Sequence, residues 1–230
     1  MKRGIFILSF FLEINGFPAF SLDAAAYRRD FAEDCRAAES YVLEIRPLLE
    51  KTLDDSFLAA VGIAVVFPEL SRYSYIRDVA ETGALEFSYI IDGDANFSIG
   101  KFQMKPSFAM MIENDADEYC RTRYPELFVR GRDEQGNRWL RIQRLKDMQR
   151  QAEYFSVFLR LMDKRFPKLR TNPPRMVQIF AAAYNSGYTQ TLDKLEKASR
   201  ISFFPYGKMG IREQYPYCEI AVEYYLGRFK

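Results

Sequence analysis

The chain has 230 residues, and its 33 Lys and Arg against 31 Asp and Glu leave a formal charge of +2 with no basic block, which gives no case for nucleic-acid binding. Hydrophobic residues make up 48%, including 20 Phe and 15 Tyr, ample for a core. Histidine is absent and the three cysteines, Cys35, Cys120 and Cys218, form no CxxC pair, so zinc sites and Ser-His or Cys-His catalysis lack their usual parts and neither a metal nor a cofactor is expected.

In chain order, Lys2 and Arg3 precede an apolar run from Gly4 to Leu12, and Ala19 and Ser21 follow Pro18 at the spacing of a cleavage site. Residues 1–21 therefore read as a secretory signal. The run is too short to span a bilayer and Glu13 ends it, so no permanent membrane span is expected. In an oxidising compartment two of the cysteines can pair; three buried thiols is the other reading.

Periodicity then predicts helices almost throughout. Tyr27, Phe31, Cys35, Ala38, Val42, Ile45 and Leu49 recur at spacings of three and four, giving an amphipathic helix from Ala24 to about Leu53 with a kink or break at Pro47. Asp54 or Asp55 can cap the next segment, Phe57–Phe67, which is apolar on every side and reads as a buried helix stopping at Pro68-Glu69. A third helix, about Tyr75 to Ile91, places Ile76, Val79, Gly83, Phe87 and Ile90 on its buried face. Beyond it, one or two short helices span Phe108–Tyr124, Arg130–Asn137 is a solvated turn, and one long helix runs from Trp139 to Phe166. Asn172-Pro173-Pro174 starts a helix closed by Asn185-Ser186-Gly187; a short helix follows over Thr191–Ser199, and after the loop Phe203–Gly210 a last one over Tyr217–Phe229, with no convincing strand. The fold class is all-α.

The most informative stretch is Asp92–Phe108, an acidic turn running through Gly100 into Phe102-Gln103-Met104 and a helix started by Pro106. An amide beside apolar surface suits a sugar-binding wall, with Phe102 and Met104 supplying apolar contact and Ser98 close by. The same residues also suit a core, with Gln103 bonding only the backbone. Asp92, Asp94 and Asn96 alternate like a calcium loop, but Phe97 and Gln103 stand at its sixth and twelfth positions, so the match is poor.

Without histidine or metal, a carboxylate is the natural acid, and the question is which one its surroundings keep protonated. Glu69 adjoins the most apolar segment, where desolvation raises a carboxyl pKa, with Ser71 and Tyr73 near enough to orient it. A helix-capping role is its alternative. Glu86 is the rival acid, nearer in sequence to Gln103 but one residue off the predicted buried stripe.

An Ala-rich helix leading to Glu69, then Gly100-Lys101-Phe102-Gln103-Met104-Lys105-Pro106, then Ala182-Ala183-Tyr184-Asn185-Ser186-Gly187, resembles the lysozyme-like lytic transglycosylases of bacterial cell walls. Over about Phe57 to Gly187 the order matches that family's catalytic Glu, its Gly-Leu-Met-Gln-x-x-Pro stretch and its Ala-Ala-Tyr-Asn-Ala-Gly motif. Leu70 stands where the family has Ser, and Glu69 lies farther from Gln103 than is usual, as though a helix were inserted. The resemblance implies a lysozyme-like helical domain over 56–230 preceded by an N-terminal helical extension over 22–55. It implies a periplasmic enzyme acting on peptidoglycan glycan strands, with Glu69 as acid then base and Gln103, Tyr184 and Asn185 lining the groove, Tyr184 bonding the acid. Two rivals stand beside it. One is a goose-type-like muramidase using Asp92 or Asp94 to activate water. The other is a catalytically silent wall-binding protein.

Overall fold

The computed structural model describes residues 22–73, 79–93, 95, 97–204 and 214–229, and among them eleven α-helices carry nearly all the regular structure. The segment expected to direct export, residues 1–21, lies outside the described residues, as do Asp94, Asn96 and the loop from 205 to 213. Helix α1 (Leu22–Asp30) and helix α2 (Ala32–Leu53) are separated only at Phe31. Every member of the amphipathic stripe from Tyr27 to Leu49 is buried. Pro47 does not break the helix: α2 runs through to Leu53.

The two aspartates that follow divide the labour of a tight junction. Asp54 takes a left-handed conformation (φ 53°) and closes α2 through its own N–H to the Glu50 carbonyl. Asp55 then accepts from the Leu58 N–H at 2.9 Å and starts helix α3 (Ser56–Tyr73). This is the central element, packed by α2, helix α8 (Met148–Arg165), helix α9 (Pro173–Ser186) and helix α11 (Tyr217–Arg228). Its length and composition would suffice to cross a membrane, but 72% of it is buried inside the fold. The expected stop at Pro68 does not occur. Proline removes one helix bond and crowds the carbonyl of Ala64, yet with neighbours on every side the helix has nowhere better to go, and the next carbonyl, Val65, is held by the Tyr217 phenol at 3.0 Å. Glu69 therefore lies inside a helix and not beyond its end.

Helix α4 (Val79–Asp92) departs most from expectation. Phe87 is 68% exposed and Gly83 also faces outward, whereas Tyr89 is buried and Glu86 half-buried against Lys146, 2.6 Å away. The reason is that, among the described residues, α4 packs mainly on one helix, α7 (Glu134–Lys146), through its Tyr89 side. Arg138 of α7 donates to the Ile90 and Ile91 carbonyls, closing the α4 C-terminus. Helix α5 (Pro106–Asp115) begins at the expected proline, and α6 (Glu118–Arg123) follows. The long helix expected over Trp139–Phe166 is broken into α7 and α8 at Asp147, whose extended backbone and side chain, accepting from the Arg150 N–H at 2.9 Å, cap α8. After α10 (Leu192–Ala198), the chain expected to lack strands forms one short antiparallel pair, β1 (Ser202–Phe204) with β2 (Tyr215–Pro216). Cys35, Cys120 and Cys218 are all buried and unpaired with one another.

No periodicity announced the polar centre of the second half. Glu113 of α5, 3% exposed, receives a forked bond from Arg141 of α7, a bond from the Tyr154 phenol of α8 at 2.6 Å and a longer contact from Arg144 at 3.5 Å. Arg141 in turn donates to the Tyr89 phenol of α4 at 2.6 Å, so one carboxylate ties four helices together. Removing one partner strands the other charge without water. Glu113→Ala is accordingly expected to lower the unfolding free energy by about 3–5 kcal/mol in a urea titration. Glu33→Ala, which breaks only the exposed pair with Arg36, should leave the midpoint nearly unchanged; similar shifts for both would contradict a keystone role for Glu113.

Candidate active site

Three separated pieces of chain meet around one cavity of about 210 Å³. Glu69 enters from α3; Ser98, Gln103 and Met104 from the loop before α5; Lys105, Ser107, Phe108 and Met111 from the first turns of α5; and Tyr184, Asn185, Ser186 and Gly187 from the end of α9. The volume falls below the ~300–1,000 Å³ usual for sites that enclose a whole ligand.

The loop is built by backbone bonds. Ile99 and Met104 exchange N–H···O bonds at 3.0 and 3.1 Å, and Gln103 N–H bonds the Gly100 carbonyl at 3.0 Å, making a four-residue turn. Gly100 has φ +67°, and a Cβ there would come within 1.7 Å of the Gln151 amide, so only glycine fits. Gln151 fixes the turn from inside, accepting from the Phe102 N–H at 3.1 Å. Gln103 itself sits at φ 50°, a conformation costing a non-glycine residue about 1–3 kcal/mol that recurs where side chains must be aimed. Its Nε2 donates to the Gly100 carbonyl at 2.8 Å. Its Oε1 is buried with no hydrogen-bond partner among the described residues.

Tyr184 is gripped by aromatic rings, meeting Phe108 and Phe155 edge-on with centroids 5.3 and 5.0 Å away. Its phenol donates to the Phe102 carbonyl at 2.7 Å, joining α9 to the loop across the cavity wall. That corrects the expectation for Phe102. The ring is fully buried against Phe155, 5.3 Å between centroids, and it offers the site a carbonyl anchor and no apolar face for a sugar. The proton of Tyr184 goes to that anchor and not to the acid. Ser71 does not orient the acid as expected: its hydroxyl bonds the Pro68 carbonyl at 2.7 Å and the Tyr27 phenol at 2.6 Å. Tyr73 packs edge-on against Tyr41.

Glu69 is 4% exposed, and its Oε2 has no hydrogen-bond partner among the described residues. The nearest cation, Arg72 one turn on, stands at 3.6 Å, an electrostatic neighbour beyond hydrogen-bond reach. Desolvation dominates, with Arg72 and Lys105 opposing it, and pushes the carboxyl up from 4.5 to about 7. A carboxylic acid still protonated near neutrality, with one face on a cavity, is a general acid in waiting. Glu86, by contrast, lies on α4 paired with Lys146 and does not line the cavity. Asp92 is exposed, and Glu69 is the sole carboxylate among the described lining residues.

The cavity thus gathers Glu69, Ser98, Gln103, Met104, Tyr184 and Asn185 from the sequence expectations and leaves out the Phe102 ring. Sequence reasoning missed Lys105, Ser107, Phe108, Met111 and Arg72 as neighbours of the acid. The available signal was Pro106: a proline-started helix turns its first exposed residues toward the loop before it, and Met111 follows Ser107 and Phe108 by one helical turn. No family model, curated protein or solved structure matches the chain.

Because the folded carboxyl holds its proton more tightly than the unfolded one, Glu69 costs no stability below about pH 4.5 and destabilises the fold increasingly as pH rises toward about 7. Glu69→Gln removes that ionisation. Its unfolding free energy relative to the parent chain is expected to grow between about pH 5 and pH 8, by on the order of 3 kcal/mol. A pH-independent difference in paired thermal or urea unfolding would contradict a raised Glu69 pKa.

Proposed function

We propose that the chain is a peptidoglycan lytic transglycosylase that cleaves the β-1,4 bond between N-acetylmuramic acid and N-acetylglucosamine with a single carboxyl group. The observation that carries the reading is the Glu69 carboxyl, 4% exposed, on one cavity with Gln103, Tyr184 and Asn185. Those residues come from the motifs through which the sequence resembles the lysozyme-like enzymes.

In this mechanism protonated Glu69 delivers its proton to the glycosidic oxygen as the bond to the muramic C1 breaks. The substrate's own acetamido oxygen relieves the positive charge developing at C1. Glu69, now a carboxylate stabilised by Arg72 at 3.6 Å, takes the proton from the muramic 6-hydroxyl, and that oxygen closes onto C1. The product is a 1,6-anhydro sugar and the acid is regenerated. No water is consumed, which suits a cavity whose described lining holds one carboxylate; two-carboxylate glycosidases place the second at about 5–9.5 Å. A wall polymer as substrate agrees with the export signal expected over residues 1–21.

Digestion of purified peptidoglycan followed by mass analysis tests this directly. Fragments with anhydro ends, one water lighter than hydrolysis products, are expected. Glu69→Gln should lower the rate by at least about a hundredfold, and Glu86→Gln should leave it near the parent value. Reducing ends in place of anhydro ends would favour the muramidase. Cleavage surviving Glu69→Gln but lost in Glu86→Gln would move the acid elsewhere.

A further inference from the structure

We propose that Gln151, a residue that does not itself line the cavity, is a positioning residue for the site: from beneath the turn over 100–103 its buried amide sets the backbone that places Gln103 on the cavity wall. Its consequence for rate rests on the glycan-cleaving reading above; its consequence for the turn does not.

A turn that ends on a left-handed glutamine does not hold itself. Gln103, at φ 50°, is in a conformation that persists only where the surroundings over-determine it. The local bonds, between Ile99 and Met104 and from the Gln103 N–H to the Gly100 carbonyl, close the base of the turn and leave Phe102 to be held from elsewhere. Phe102 is gripped at three points. Its N–H donates to Gln151 Oε1 at 3.1 Å, its carbonyl accepts from the Tyr184 phenol at 2.7 Å, and its ring is fully buried against Phe155. Peptide units are planar, so fixing those on both sides of Phe102 leaves the φ of the next residue, Gln103, little room to relax.

Gln151 is built for the inner grip. It is 2% exposed and both ends of its amide are in use, Oε1 on the turn and Nε2 donating to the Leu145 carbonyl near the end of α7. Its nitrogen also lies so close under Gly100 that a Cβ there would come within 1.7 Å of it. One side chain of α8 thus ties the turn to two helices. The outer grip is weaker. Lys101 pairs with Glu44 of α2 at 2.5 Å and lies over the Tyr41 ring at 4.5 Å, but the Glu44 side chain is 51% exposed, and pairs open to water contribute little. Losing the Gln151 amide instead strands the Phe102 N–H and the Leu145 carbonyl away from water, which decides between the two.

Gln151→Met keeps the length of the side chain and removes both bonds. Two readouts follow it: the strong amide-to-α-proton NMR contact within Gln103 that a positive φ produces, and the rate on purified peptidoglycan well below the unfolding midpoint. The contact should be lost and the rate should fall about tenfold to a hundredfold, the scale of a small displacement imposed from outside the chemistry. In a Gln103→Ala background the same change should cost no more than about a further twofold, because one residue acts through the other. Gln151→Asn, with an amide too short to span both partners, should fall between parent and Gln151→Met in both readouts, and it carries the comparison if the Met variant does not fold. A purely structural Gln151 would lower the unfolding midpoint and leave the folded chain's Gln103 contact and rate unchanged. That result, or losses that multiply in the double variant, overturns the positioning role and leaves glycan cleavage standing. Loss of the contact in a chain whose parent releases no wall fragments keeps the positioning role and overturns the glycan-cleaving reading.

Discussion

The architecture depends on a carboxyl group that is denied water. Glu69 sits within the most apolar helix among the described residues, between Phe67, Pro68 and Leu70, all buried, and it lines a small cavity. Ionising it there must overcome desolvation with help only from Arg72 and, more distantly, Lys105. A fold pays in stability for such a placement, and nothing in packing alone asks for it, since a Gln or Met of similar size would fill the same space at lower cost. The helix that carries the acid is braced by four others, which keeps the carboxyl from turning out to solvent.

The opposite wall is held by different means. The turn around Gln103 is short, contains a left-handed glutamine, and is stabilised less by its own sequence than by Gln151 beneath it and the Tyr184 phenol across it. The four-helix anchor at Glu113 lies two residues beyond Met111, the last α5 residue lining the cavity, so the buried ion cluster sets the direction of that helix. A desolvated acid, a strained amide and a buried charge cluster are each unfavourable in isolation. Together they fix the walls of the cavity before any ligand arrives.

Much of this was legible in the residues. The Tyr27–Leu49 stripe, the largely buried character of Phe57–Phe67 and the helix start at Pro106 follow from periodicity and residue type, whereas the three motifs that meet at the cavity were picked out by family resemblance. What escaped shares one cause: each depended on how many neighbours an element would have. Phe87 reads as core in a helical stripe, but among the described residues α4 packs mainly on α7 and leaves that face outside. Pro68 reads as a stop, but surrounding helices carry α3 through it. Trp139–Phe166 reads as one helix because apolar spacing continues across Asp147, where a local side-chain cap breaks it. Glu113 and Arg141 drew no expectation, since nothing in linear order says that two such residues 28 positions apart will be buried together.

The central claim is that Glu69 remains a neutral acid near neutral pH. Carbon-detected NMR of the chain labelled at the glutamate carboxyl carbons, with the Glu69 signal identified by its disappearance in Glu69→Gln, follows that proton directly. The account expects a midpoint at about 7, well above the ordinary 4.5. A midpoint at the ordinary value would mean that water reaches the carboxyl, and the proposed chemistry would lose its acid.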